Sequence, residues 1–158
     1  LIEIGAFILM PNHYHLFVRP LIENGLSLFI QKLGVGYTTY FNFKNDRSGV
    51  LFQGRYKIKH VDEDRYARYL MAYIPLNALD ATQPDWRTYG IKDISKAKKV
   101  VISHPWSSFS SYLGENLFPG IISPDFIKEF FDGSRDYEKF VFSKSGETLS
   151  FLAGVGSL

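Results

Sequence analysis

Cysteine is absent from the sequence, which removes disulfides and thiolate metal sites from consideration and is compatible with a reducing compartment. Charge of one sign is lacking too. Eighteen Lys and Arg against sixteen Asp and Glu leave a formal net charge of +2, too little to imply a nucleic-acid partner by itself. No apolar run approaches the ~20 residues of a membrane span, and no signal-peptide pattern opens the chain. The expectation is therefore a cytoplasmic protein with no membrane partner. Internal repeats and low-complexity tracts are missing as well, and histidine is scarce, with four in all.

What is present is apolar and aromatic. A hydrophobic share of 46% with 22% charged residues fits a globular chain, and 158 residues suffice for one domain, or one with an appendage, around a real core. Ten Tyr and fourteen Phe, mixed with Arg and Lys, suit a surface that stacks bases and follows phosphates. A tyrosine-rich core accounts for the same composition. The chain opens at Leu1 inside a strand-like segment, which reads as the middle of a longer protein.

Residues 2–10, IEIGAFILM, read as a strand, Pro11-Asn12 as a turn, and residues 13–19 as a returning strand, so a tight hairpin is expected. Residues 26–42 have helical spacing, weakened in the middle by Gly34 and Gly36. After a polar loop at 44–49, residues 50–61 alternate as a strand, with Tyr56, Ile58 and His60 on one face and Lys57, Lys59 and Val61 on the other. Asp62 is the expected N-cap of a helix running from about Glu63 to Leu79, with Glu63 and Asp64 favourable to its dipole. Beyond it, TQPDWRTYG reads as a loop, IKDISKAKKVV as a basic helix, and HPWSSFSSYLG as a turn-rich aromatic segment. SPDFIKEFF and SRDYEKFVF read as two short helices, the first capped by Ser123 with Pro124 at its first position.

Three constellations can carry chemistry. In a strand, His13 and His15 share a face while Tyr14 and Leu16 take the other. Two neutral imidazoles side by side are half of a divalent-metal site. A pair of partly exposed histidines on a sheet face is the plain alternative, and spacing alone favours it. On the helix after Asp62, Tyr66, Tyr69, Leu70, Tyr73 and Asn77 share one face. A tyrosine with an amide four residues later can present a nucleophilic phenol and an oxygen ligand to one point. Alternatively, that face docks the helix on the sheet. Pro75 lacks an N–H and crowds the carbonyl of Met71, so a kink or change of pitch is expected just after Tyr73. Arg55, Lys57 and Lys59 form a basic row in the 50–61 strand, extended by Arg47 and Arg68. Such a row suits a phosphate backbone, or equally a lysine-protected edge strand.

Together, MPNHYHLFV (10–18), YTTYFNFKNDRSGVLFQGRYK (37–57), RYLMAYIPLNAL (68–79) and HPWSSFSSYLG (104–114) resemble the REP-associated tyrosine transposases, a group of the single-tyrosine HUH transposases. The resemblance implies an α+β fold with a ferredoxin-like antiparallel sheet and helices on one face. It implies a catalytic core over residues 1–80 and a helical C-terminal extension over 81–158. The family's first strand and helix have no counterpart here, so an open sheet edge is expected that another chain or segment would cover. Two residues depart from the family pattern: Ala78 stands where Pro is usual, and Pro75 is rare at its place.

The resemblance also implies roles. Tyr73 would be the nucleophile, and His13, His15 and Asn77 would hold Mg²⁺ or Mn²⁺. Tyr66 and Tyr69 would then serve packing or DNA contact, and Arg47, Arg55, Lys57, Lys59 and Arg68 would face DNA. The implied activity is cleavage and rejoining of single-stranded or hairpin DNA through a 5′-phosphotyrosine, with a site built within one chain or across a homodimer. A catalytically silent nucleic-acid-binding protein of the same fold, and a metal hydrolase using water, are the competing expectations.

Overall fold

The computed structural model describes residues 1–143 apart from 116 and 124, so the expected helical position of Pro124 lies outside the described residues. Among them the protein is α+β: a two-stranded antiparallel sheet, six α-helices and two short 3₁₀ helices. No helix among them is long and apolar enough to cross a membrane. The chain divides into two compact units, residues 1–3 with 19–60, and residues 4–18 with everything from 61 onward.

The expected hairpin forms from β1 (Ile2–Leu9) and β2 (Tyr14–Pro20). Its turn is closed by the Met10 N–H donating to the His13 carbonyl at 2.8 Å, with Pro11 and Asn12 at the bend. Along β1, the four consecutive residues Gly5, Ala6, Phe7 and Ile8 are buried, so both faces of this strand are covered in its middle. Gly5 is required there because the Phe126 ring lies against its backbone; a Cβ would sit 2.3 Å from a ring carbon.

A strand edge leaves alternate N–H and C=O groups in need of partners. On β1 they are met from within the chain. The Leu9 N–H donates to the Trp106 carbonyl at 2.9 Å, and Ser108 donates its N–H to the Phe7 carbonyl at 3.0 Å. The Phe7 N–H donates to Ser108 Oγ at 3.0 Å, and the Tyr112 hydroxyl donates to the Gly5 carbonyl at 2.5 Å. Ile8 and Ser107 form a single antiparallel bridge. The open edge expected from the sequence is, on β1, covered by the HPWSSFSSYLG segment, whose serines and tyrosine supply donors that a regular strand would not.

The core of the second unit is built on α2 (Asp64–Leu76), which buries Tyr66, Ala67, Tyr69, Leu70, Met71, Ala72, Ile74 and Leu76 and is therefore apolar nearly all round. Glu63, rather than the expected Asp62, is its cap residue. Pro75 sits inside the helix and has no N–H to give the Met71 carbonyl; the buried Tyr137 hydroxyl donates to that carbonyl instead, at 2.8 Å. After Leu76 the chain tightens into a 3₁₀ turn, Asn77–Ala81, which is the change of pitch that Pro75 predicts.

Beyond it, α3 (Trp86–Tyr89) is a single helical turn where a loop is expected, and α4 (Ile94–Ser103) starts at Asp93, whose side chain accepts from the Lys96 N–H at 3.0 Å. The short α5 (Phe109–Tyr112) follows the edge-covering serines. The SPDFIKEFF segment forms a 3₁₀ turn, Phe126–Glu129, rather than an α-helix, and α6 (Ser134–Val141) brings in Tyr137. Trp86, Phe109, Phe126 and Tyr137 are the largest side chains fully inside this core.

In the first unit, α1 (Gly25–Lys44) runs unbroken through Gly34 and Gly36, and Gly25 is its one buried residue. A Cβ on Gly25 would lie 2.2 Å from the Leu1 carbonyl oxygen, so the helix start has room only for glycine. The loop after α1 is tied by Asn42, whose Nδ2 donates to the Gly49 carbonyl at 2.8 Å. The strand expected over 50–61 does not form. A strand needs a partner edge for its backbone groups, and the side chains on its apolar face, Tyr56 and Ile58, stay 44% and 68% exposed.

Replacing Tyr137 with Phe leaves the Met71 carbonyl buried and unpaired, so the variant should lose about 1–3 kcal/mol in urea unfolding. In a Pro75→Ala background, where residue 75 regains an N–H, the same change should cost clearly less.

Candidate active site

Four elements of the second unit meet at Tyr73. The hairpin turn and β2 bring His13 and His15, α2 brings Tyr73 itself, the 3₁₀ turn brings Asn77 and Asp80, and α3 brings Trp86 and Arg87. His13 and His15 stand edge to face with ring centroids 5.0 Å apart, and the His15 ring is 6.0 Å from the Tyr73 ring. The Nδ1 of His13 lies 2.8 Å from Asn12 Oδ1, which can only accept. Nδ1 is therefore the donor to that oxygen, and in the neutral tautomer of the ring the lone pair lies on Nε2.

Arg87 also contacts Tyr73. Its Nε donates to Tyr73 Oη at 3.3 Å, and its Nη2 donates to Asn77 Oδ1 at 2.6 Å. Asp80 accepts from Nη1 at 2.5 Å and from Nη2 at 3.0 Å, a two-point ion pair. Asp80 also accepts from the Trp86 indole N–H at 2.8 Å. The guanidinium stacks over the Trp86 ring at 4.5 Å and lies 5.4 Å from the Tyr73 ring centroid.

Asn77, fully buried, uses both ends of its amide: Nδ2 donates to the Tyr73 and Ile74 carbonyls at 2.8 and 3.2 Å while Oδ1 accepts from Arg87. The change of pitch explains the first pair. Past Pro75 the Asn77 backbone N–H turns to the Ile74 and Pro75 carbonyls, and its side chain takes the Tyr73 carbonyl in its place.

These contacts fix the charges. Burial alone raises the Asp80 carboxyl, but the Arg87 and Trp86 hydrogen bonds outweigh it and hold the group below the usual carboxylate range. Burial pulls Arg87 down, and its bonds to Asp80 and Tyr73 more than restore it. His15 is lowered to about 4, first by burial, then by the neighbouring His13 and Arg87 charges, with Asp80 acting against them. At neutral pH it is an uncharged imidazole, the form that ligates a cation.

Of the residues expected at the site, the structure brings together His13, His15, Tyr73 and Asn77. Among the described residues no group of three or more His, Asp, Glu or Cys is placed to hold a metal. The imidazole pair is of a chemistry that suits a divalent ion, and the Asn77 amide oxygen is held by Arg87. Tyr66 and Tyr69 are buried, and Tyr69 accepts from Arg65 at 3.3 Å.

The strand expected to align Arg55, Lys57 and Lys59 does not form. Arg55, Lys57 and Lys59 are exposed on an irregular segment of the first unit, and Arg47 there lies over the Phe41 ring at 5.7 Å and donates to the Val50 carbonyl at 3.2 Å. In the second unit, Arg68 is half-buried against the Phe131 and Phe140 rings, at 4.7 and 4.9 Å.

Sequence reasoning missed Asp80, Trp86 and Arg87. Asp80 follows Asn77 by three, as Asn77 follows Tyr73 by four, so extending the helix-face count by one step reaches it. Arg87 has no such signal, because its approach depends on the short helix α3.

The site thus defines a class: an α+β chain in which a phenol, a guanidinium and a pair of imidazoles converge. A family model described as "Transposase IS200 like" matches residues 1–77, just under half of the chain, and over that span the chain is similar to the transposase family. The matched span contains His13, His15, Tyr73 and Asn77 and ends before Asp80, Trp86 and Arg87. No curated protein and no solved structure gives a significant match.

Because the His15 pKa is depressed in the fold, the unfolded chain binds more protons between about pH 4 and 6.5. The contribution of neutral His15 is fully present above pH 6.5 and is lost as pH falls toward 4. Urea titrations should show this loss, on the order of 1–2 kcal/mol after discounting for the partial exposure of the ring, and His15→Gln should remove it.

Proposed function

We propose that the protein is a metal-dependent transposase that cleaves and rejoins single-stranded DNA through a 5′-phosphotyrosine, at hairpin-flanked element ends. The observation that carries this reading is the approach of the Tyr73 phenol to the His13–His15 pair within one unit of one chain. Tyr73 Oη attacks the phosphorus of a phosphodiester; its bond to phosphorus forms as the bond to the 3′-oxygen breaks. The phenol proton ends on that oxygen, giving a 3′-hydroxyl. The link to tyrosine retains the energy of the phosphodiester, so reversal on a second 3′-hydroxyl joins strands without ATP.

His13 and His15 would hold Mg²⁺ or Mn²⁺, which supplies polarisation of the phosphoryl oxygens. Asn77 Oδ1 stays with Arg87 in this reading, so the imidazole pair is the donor set assigned to the cation. Arg47, Arg55, Lys57 and Lys59 are assigned to phosphates of bound DNA, whereas Arg68 serves chiefly as a stacked packing residue. A homodimer is compatible with this reading and is not needed to bring Tyr73 to the histidines.

One observation favours a second reading, that of a silent nucleic-acid-binding protein: Arg87 already occupies the oxygen that a cation would use on Asn77. Binding insensitive to chelator, with no cleavage in Mn²⁺ or Mg²⁺, would establish it.

Incubation with labelled hairpin single-stranded DNA and Mn²⁺ should yield a covalent protein–DNA adduct on denaturing gels. Tyr73→Phe should abolish it; persistence of the adduct in that variant sinks the nucleophile assignment. Replacing Arg55 and Lys57 together with Gln should reduce the slope of log K against log salt by about 1.4, the release expected for two contacts to a single strand.

A further inference from the structure

We infer that Arg87, outside the segment matched by the transposase family, is a catalytic residue that holds and electrostatically stabilises the Tyr73 oxygen; this rests on the nucleophile role proposed for Tyr73.

The argument is geometric. A flexible arginine near a phenol would mean little, but this one is fixed from three sides. Asp80 takes two N–H groups on the outer edge, Asn77 Oδ1 takes a third, and the Trp86 ring lies under the plane at 4.5 Å. Asp80 is itself held by the Trp86 indole N–H, so the ion pair and the stack orient each other. Of the two N–H groups left, Nε–H is aimed at Tyr73 Oη at 3.3 Å.

A planar guanidinium so held meets charge growing on the phenol oxygen without reorganising, which is the condition under which a hydrogen bond lowers a barrier. The need arises in both directions. Negative charge lies on Oη as the phenol gives up its proton ahead of attack on phosphorus, and gathers there again when the tyrosine leaves as a second 3′-oxygen attacks. No proton is transferred by Arg87, which stays charged throughout because of its bonds to Asp80 and Tyr73. The acidic partner offsets part of that charge, and the gain comes from orientation as much as from attraction.

A purely structural Arg87 would also be buried, stacked and paired, so the test must read something that packing does not move. In single-turnover adduct formation with hairpin DNA and Mn²⁺, Arg87→Ala should lower the rate at saturating DNA by about 10²–10³-fold. The DNA concentration at half-saturation should change by less than about threefold. Added guanidinium at millimolar concentration should restore at least tenfold of the rate, and urea at the same concentration should not.

A loss confined to half-saturation, an unchanged rate, or no rescue in a variant with a normal thermal transition overturns the inference. Should Arg87→Ala fail to fold, Arg87→Lys keeps a cation without the planar fork; it should fall at least tenfold in rate, and a wild-type rate overturns the inference. The two levels separate cleanly. If Tyr73→Phe still forms the adduct, the proposed function and this inference fall together. If Tyr73→Phe abolishes it while Arg87→Ala leaves the rate untouched, this inference alone fails.

Discussion

One missing N–H organises the second unit. Proline at position 75 cannot pair with the Met71 carbonyl, and a buried carbonyl without a partner would cost about 1–3 kcal/mol. The Tyr137 hydroxyl fills that place from α6, which ties the last described helix to the helix bearing Tyr73. The same proline ends regular α-geometry, so the backbone tightens and Asn77 caps the Tyr73 and Ile74 carbonyls with its side chain. With the amide nitrogen committed to the helix, Asn77 Oδ1 is turned toward Arg87. The departure at Pro75 thus has a definite structural consequence: it sets the direction of the Asn77 oxygen.

The site that results is organised by charge as well as by packing. Asp80 and Arg87 form a two-point pair that is half-buried, and such a pair is weak evidence for stability because desolvation offsets much of its attraction. Its value lies in direction. The carboxylate and the indole of Trp86 leave one guanidinium N–H facing the phenol. His15, whose ring lies 6.0 Å from the Tyr73 ring, stays neutral because burial and the nearby positive groups disfavour its protonation. A cationic and a neutral nitrogen group therefore both lie close to Tyr73.

The edge of β1 illustrates a second constraint. Backbone donors and acceptors along a buried strand must be paired, and residues 106–112 meet them with a single bridge, one serine hydroxyl and one tyrosine hydroxyl. The hairpin that carries the histidines is in this way completed by chain lying far away in sequence. In the first unit residues 50–60 form no strand and stay irregular despite their alternation. Alternation states which face a side chain would take in a strand; it does not supply the neighbouring edge.

The α+β class was implied by the family resemblance, whereas local pattern alone was enough for the Pro11-Asn12 hairpin, the long helix through Gly34 and Gly36, and the pitch change after Tyr73. It also put Tyr73 and Asn77 on one helix face. Each of these follows from turn chemistry or a period of 2 or 3.6 residues, which operates over a few neighbours. Tertiary structure decided the rest: that 50–61 is not a strand, that Tyr137 answers Pro75, that the serine-rich segment seals β1, and that Asp80 and Arg87 close on Tyr73. Those outcomes join residues up to 107 positions apart, as in the Tyr112 to Gly5 bond, and no local periodicity encodes which distant group will satisfy a given donor or charge.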